Sequence, residues 1–166
     1  RFVYDLATGD TTEVEASREK WQDWISVWED YLTWSGAEGD LVPPYHLVLY
    51  DMRTETAELL LEGDHAVGIA PIQAGIVAYS TSKYSGTYAR APSDIELYDV
   101  ASGISRRVTA HTGMLRAARI VRPYLLMTYD LGSALRDDLY VANLEMLGVL
   151  DSSGRLIPGE GVILQP

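Results

Sequence analysis

The side chains able to do chemistry are few, and they gather in connecting segments. The stretch Thr81 to Ser93 carries Tyr84, Tyr88 and Arg90 among serines and a glycine. Aromatic and cationic groups on a loop held by a rigid scaffold suit sugar or peptide binding, by stacking and hydrogen bonding. The plainer reading folds the tyrosines back onto their own loop. His65 and His111 each follow one strand-like stretch and precede another, in Asp64-His65-Ala66 and Ala110-His111-Thr112. The functional reading places both histidines in a ligand site. The plainer one has each bond neighbouring backbone and fix one unit on the next.

Other chemistries find no pattern. No Gly-x-Ser-x-Gly elbow occurs, and Gly159-Glu160-Gly161 lacks the third glycine and the helix of a phosphate loop. His46, His65 and His111 form no close pair, so no helix- or hairpin-borne metal site is expected. The chain has no cysteine, which excludes disulfides, zinc ribbons, iron–sulfur ligation and thiol catalysis. Acid–base work needs two carboxyls converging in space, whereas adjacent residues on a strand point to opposite faces. Glu29-Asp30 and Asp137-Asp138 are therefore assigned to turns. Neither catalytic residues nor a cofactor or metal are expected.

Charge narrows the partners. Residues 1–66 hold 15 Asp and Glu against 4 Lys and Arg, while residues 67–166 hold 9 of each. The net charge of −11 thus belongs to the first part of the chain. An acidic surface argues against nucleic acid or an anionic membrane, both of which need phosphate neutralised. No apolar run reaches the length of a membrane span, since Ile120 to Met127 is broken by Arg122 and Pro123. The first residues show neither an initiator Met nor a signal peptide, so the start reads as a processed or trimmed boundary.

What must position these groups is a repeat. Val3-Tyr4-Asp5-Leu6-Ala7-Thr8-Gly9 recurs as Leu49-Tyr50-Asp51-Met52-Arg53-Thr54-Glu55 and as Leu97-Tyr98-Asp99-Val100-Ala101-Ser102-Gly103. The Asp positions differ by 46 and 48, and a weaker copy puts Asn143 another 44 residues on. Asp before a Thr/Ser-Gly cluster bonds its own backbone and tolerates positive φ, as a tight reversal between strands requires. The flanking stretches Thr11 to Glu15, Ala57 to Leu61 and Ile104 to Thr109 supply the second strand of each hairpin. Upstream lie Tyr31 to Ser35, Gly75 to Ser80 and Tyr124 to Thr128, rich in aromatic and β-branched residues. A fainter strand precedes each, over Trp24 to Val27, Val67 to Ile72 and Leu115 to Val121. Four strands every 44 to 48 residues is the period of a β-propeller blade.

The pattern apolar-x-Leu-Tyr-Asp-apolar-Ala-Ser/Thr-Gly, followed by a strand ending in Thr, resembles the TolB-like β-propeller repeats of bacterial extracytoplasmic proteins. In place of that family's Ser-Pro-Asp-Gly turn stand Val27-Trp28-Glu29-Asp30, Ile72-Gln73-Ala74-Gly75 and Val121-Arg122-Pro123-Tyr124, as in its divergent members. The resemblance implies an all-β chain of about three and a third four-stranded antiparallel blades, outside the cytoplasm. Residues 1–15 would be the outer strands of a partial blade. Residues 16–62 and 63–110 would each be a blade, and 111–166 a blade plus tail.

Two segments read both ways. Trp21, Trp24, Ile25, Trp28 and Leu32 form one stripe at helical spacing behind Ser17, a plausible N-cap. The repeat overrules it, because Ile25 to Ser35 aligns with Ala70 to Ser80, where Pro71 and Gly75 disfavour a helix. A short helical turn over Ser17 to Asp23 is compatible with either, and the four tryptophans are expected in the core. At the other end, Met146 to Leu150 is preferred as the outermost strand. The hairpin Val149 to Leu156 is the alternative, and Gly161 to Leu164 would be one further strand.

So few blades do not close a ring. The missing ones would come from the same chain or from another copy. The connections Gly36 to Tyr45, Thr81 to Ser93 and Leu131 to Asp137 would share one face with His65 and His111. The reading reached is a non-enzymatic binding or interaction scaffold for a protein or glycan ligand, with His65, His111, Tyr84, Tyr88 and Arg90 as candidate contacts. The alternative is part of a propeller enzyme, a glycan lyase or hydrolase, or the propeller domain of a peptidase.

Overall fold

Apolar residues alternate through each repeated stretch, and a strand sends alternate side chains to opposite faces. The computed structural model describes residues 2–4, 6–14, 21–37, 45–63, 65–67, 70–83, 93–109, 114–130 and 137–159, without the side chains of 21–24, 65–67, 82–83, 114–118, 129–130 and 137. Among them the chain is all-β, without helices. β1 (Phe2–Tyr4) and β2 (Thr11–Glu13) make a two-stranded hairpin. β3 (Trp21–Trp28), β4 (Tyr31–Ala37), β5 (Tyr45–Asp51) and β6 (Thr56–Gly63) make a four-stranded antiparallel sheet in chain order.

Next come β7 (His65–Val67) and β8 (Ile72–Gln73), which both pair with β9 (Ile76–Lys83). β10 (Ser93–Asp99) and β11 (Ile104–Arg107) continue that antiparallel sheet. β12 (Met114–Val121), β13 (Tyr124–Asp130) and β14 (Asp137–Asn143) form the last antiparallel set. A single parallel pair, Ser93 with Met114, joins it to β10. Among the described residues no strand pairing links the first sheets to the last.

The sheets stack face to face, which explains why β5 is buried along nearly its whole length. Leu47 and Leu49 pack one way, with Val77, Tyr79 and Tyr98. Val48 and Tyr50 pack the other way, with Val3, Val14 and Trp34. Ile76, Ile95 and Leu97 meet Leu125, Met127 and Ala142 in the third cluster. Each Val, Leu, Ile or Met side chain among them contributes about 1.5–3 kcal/mol when removed from water. Polar bonds fix the stacking register: Thr33 Oγ1 donates to Ala70 O at 2.6 Å, and Ile72 N donates to Ser26 Oγ at 3.1 Å. The Thr that ends the outer stretch is buried, and Thr109 Oγ1 accepts from Ile95 N at 2.7 Å.

Several expectations need correction. The Trp21–Trp28 stretch is strand despite its helical stripe, so the helical turn over Ser17 to Asp23 fails at 21–23, while 17–20 lie outside the described residues. Val67 to Ile72 is not continuous strand, because residues 70 and 71 are irregular and Pro71 supplies no N–H to a ladder. Met146 to Leu150 is turn rather than an outermost strand. There Asn143 Oδ1 accepts from Met146 N at 3.0 Å, and the chain reverses before a hairpin bridged at Leu150 and Leu156. Asp137-Asp138 opens β14 instead of forming a turn, with Asp138 opposite Tyr129. Glu29-Asp30 is a turn. Trp34 is fully buried, Trp28 half-buried. Gly161 to Leu164 lies outside the described residues.

Candidate functional site

Strand register sorts the connections by length. At one end of the sheets stand the pairs Ala37 with Tyr45, Ser82 with Ser93, and Asp130 with Asp137. The connections 38–44, 84–92 and 131–136 leave from these pairs. Gly63 ends β6 and His65 begins β7 two residues later, so the β6–β7 connection belongs to the same end. The opposite end carries short reversals at Glu29-Asp30, Ala74-Gly75 and Arg122-Pro123 and over residues 52–55 and 100–103, together with the segment 144–159 that follows β14. Ala74 and Gly75 have φ of 51° and 75°, the backbone that two-residue hairpin turns of this hand demand.

The His65 backbone pairs with Lys83, the residue before Tyr84. The side chain of His65 lies outside the described residues, as do Tyr84, Tyr88, Arg90 and His111. Their connections are bounded by Lys83, Ser93 and Met114, and Ser93 and Met114 pair with each other. Register therefore brings the ends of the three segments to one edge.

One histidine that sequence reasoning set aside sits toward this end. His46 on β5 is buried, with Nε2 4.0 Å from Glu62 Oε1. Its repeat position holds Asp94 and Asp138, and Asp94 pairs with Arg107 at 3.5 Å. A polar slot five residues before each repeat Asp or Asn was the available signal.

At the turn end Asp30, Asp51 and Arg53 are committed to one another. Asp51 Oδ1 accepts from Arg53 N at 2.9 Å and Oδ2 from Arg53 Nη2 at 3.2 Å. Arg53 Nη2 also donates to Tyr31 Oη at 2.7 Å, and the guanidinium lies 5.4 Å from the Tyr31 ring centre. Asp30 adds an ion pair to Arg53 at 3.5 Å. The Arg53 hydrogen bond holds the Asp51 carboxyl below its usual range, and Asp51 in turn raises Arg53. Asp30 and Asp51 thus neutralise one cation and tie the turns of β3–β4 and β5–β6 together, which is positioning rather than acid–base chemistry.

An open cleft of about 250 Å³ lies at the same end, where Ser26, Trp28, Pro71, Ile72 and Gln73 meet Ile120. Trp28 is held there by stacking on Tyr31, with ring centres 6.3 Å apart and planes 8° from parallel. Among the described residues no three His, Asp or Glu side chains converge as metal ligands. No protein-family model matches the chain, and no curated protein matches it either.

Proposed function

We propose that the stacked sheets are blades of a β-propeller of divergent TolB-like type, and that the protein is a non-enzymatic binding scaffold outside the cytoplasm. Its ligand is a protein or a glycan, met by the end of the sheets that carries the long connections. The observation that carries this reading is the sorting by register. Connections of six to nine residues leave from one end, between β4 and β5, β9 and β10, and β13 and β14. The turns inside the same sheets at the other end span two to four residues, and Asp30, Asp51 and Arg53 there are paired. Rigid strands below variable loops are the usual arrangement of a recognition surface. The repeat of 44 to 48 residues supports the propeller, and the missing blades come from the same chain or another copy.

Glycan arrays and pull-downs with the full-length protein test the reading. Binding that is lost in Tyr84→Ala, Tyr88→Ala and Arg90→Ala, with thermal unfolding unchanged, supports it. Silence on both screens overturns it. An activity on a glycan or peptide that vanishes in His65→Ala and His111→Ala, stability intact, replaces it with the enzyme reading.

A further inference from the structure

Leu139 and Val141 lie four and two residues before Asn143, on the face of β14 that also presents Leu126 and Tyr124 from β13. They are 62% and 60% exposed. The equivalent residues of the preceding repeats are Leu47 and Leu49 before Asp51, and Ile95 and Leu97 before Asp99. Those four are at most 4% exposed, because each pair packs on the sheet that follows. The cross-strand neighbours correspond as well: Val141 faces Leu126 as Leu49 faces Thr33 and Leu97 faces Ala78.

The first repeat shows the opposite half of the same interface. Tyr4 precedes Asp5 as Tyr50 precedes Asp51 and Tyr98 precedes Asp99. Tyr50 and Tyr98 are nearly buried against the sheet that comes before them. Phe2 and Tyr4 are 68% and 60% exposed. Internally, the aliphatic face is covered by the aromatic one, as Leu47 and Leu49 are by Tyr79 and Tyr98.

We infer that a second copy of this chain docks head to tail, its Phe2–Tyr4 face covering Leu139 and Val141 and continuing the stacking already present three times inside the molecule. Exposed apolar patches of this kind mark interaction sites. The two faces differ, so the contact is heterologous, and copies add on in one direction until a ring closes or a filament grows. The inference rests on the repeat register and stands whether or not the loop end binds a ligand. A failed ligand screen leaves the measurement below untouched.

The test is molar mass by light scattering on three forms of the 166-residue chain. The unmodified protein is expected to exceed one chain and to grow with concentration. Leu139→Glu/Val141→Glu and Phe2→Glu/Tyr4→Glu each block one end and are expected to run as single chains. Their equimolar mixture is expected to give a two-chain species and to stop there, since one free end of each type remains and those two meet. All four residues are exposed, and formation of the mixed dimer itself certifies that both variants fold. Serine replacements at the same positions, adding no charge, should weaken association in the same pattern. An unmodified chain of single-chain mass at every concentration overturns the inference. So does a mixture that stays monomeric, or either blocked form associating with itself.

Discussion

Arg155 donates from Nη1 to Asp99 Oδ1 at 3.1 Å, joining the last hairpin to a turn 56 residues earlier. The carboxylate is 1% exposed and does more than pair a cation. Oδ1 also accepts from Ala101 N at 3.0 Å and Ser102 N at 3.3 Å, closing the β10–β11 turn, while Oδ2 accepts from Leu156 N at 3.2 Å. Asp51, at the same place in its repeat, serves its own turn and Arg53. Arg106 reinforces the lock, donating from Nη1 to Gly148 O at 2.9 Å and Ile157 O at 2.8 Å.

Removing the two partners should therefore cost different amounts. Asp99→Ala orphans the buried Leu156 N–H and frees the turn, a loss of about 3 kcal/mol. Arg155→Ala leaves the carboxylate with three backbone donors, and the Arg155 side chain is half-exposed, so the loss is about 1 kcal/mol. Urea unfolding of both variants decides it. Equal losses would mean that the ion pair, and not the backbone bonds, carries the lock.

Glu55 occupies the slot that Gly9 and Gly103 fill in the neighbouring repeats, and it shares their left-handed backbone, with φ of 53° against 78° and 68°. A side chain there costs about 1–2 kcal/mol, and glycine returns about 0.5–1 kcal/mol of that as unfolded-state entropy. Glu55→Gly should stabilise the chain by about 0.5–1 kcal/mol. Gly103→Ala should cost about 1 kcal/mol through the backbone alone. An added Cβ there meets nothing closer than Tyr98 Oη at 3.9 Å. Thermal melts read both signs, and a destabilised Glu55→Gly would refute the backbone account.

The repeat was legible because its physics is local. Asp or Asn followed by a reversal bonds its own backbone in all the described copies, at Asp51, Asp99 and Asn143, and spacing alone placed the β5–β6 and β10–β11 hairpins. The same periodicity overruled the helical stripe of β3, whose Ser26 and Trp28 face β8 while Ile25 and Val27 face away. Where tertiary contacts decide, the sequence was silent. Met146 carries a strand-like neighbourhood yet lies in a turn, because Asn143, Arg106 and Asp99 hold the segments around it. His46 looked isolated because its companion, Glu62, is a neighbour only through β5–β6 register. The candidate contacts His65, His111, Tyr84, Tyr88 and Arg90 gain from the structure only the shared edge of their connections.

The alkaline limit of stability follows from Tyr98. Its hydroxyl reaches from β10 to both carboxylate oxygens of Glu58 on β6, at 2.8 and 3.0 Å, and so ties two sheets together. Burial first, and then the Glu58 carboxylate, push the phenol from 10.0 up to about 12. Burial likewise holds Tyr79 above its ordinary value, with Glu96 accepting from its hydroxyl at 3.0 Å. The folded state thus favours the neutral phenol. That contribution is complete below the unfolded value of 10.0 and disappears as pH rises toward about 12. Tyr98→Phe keeps the ring packed and leaves Glu58 hydrated, at a cost of about 1 kcal/mol near neutral pH. The variant should also lose less stability than the unmodified chain across the alkaline window, with Tyr79 supplying the remaining slope. Urea unfolding from neutral to alkaline pH, followed alongside phenolate absorbance, reads both. Parallel pH profiles for the two proteins would show that Tyr98 ionises as freely in the folded chain as in the unfolded one.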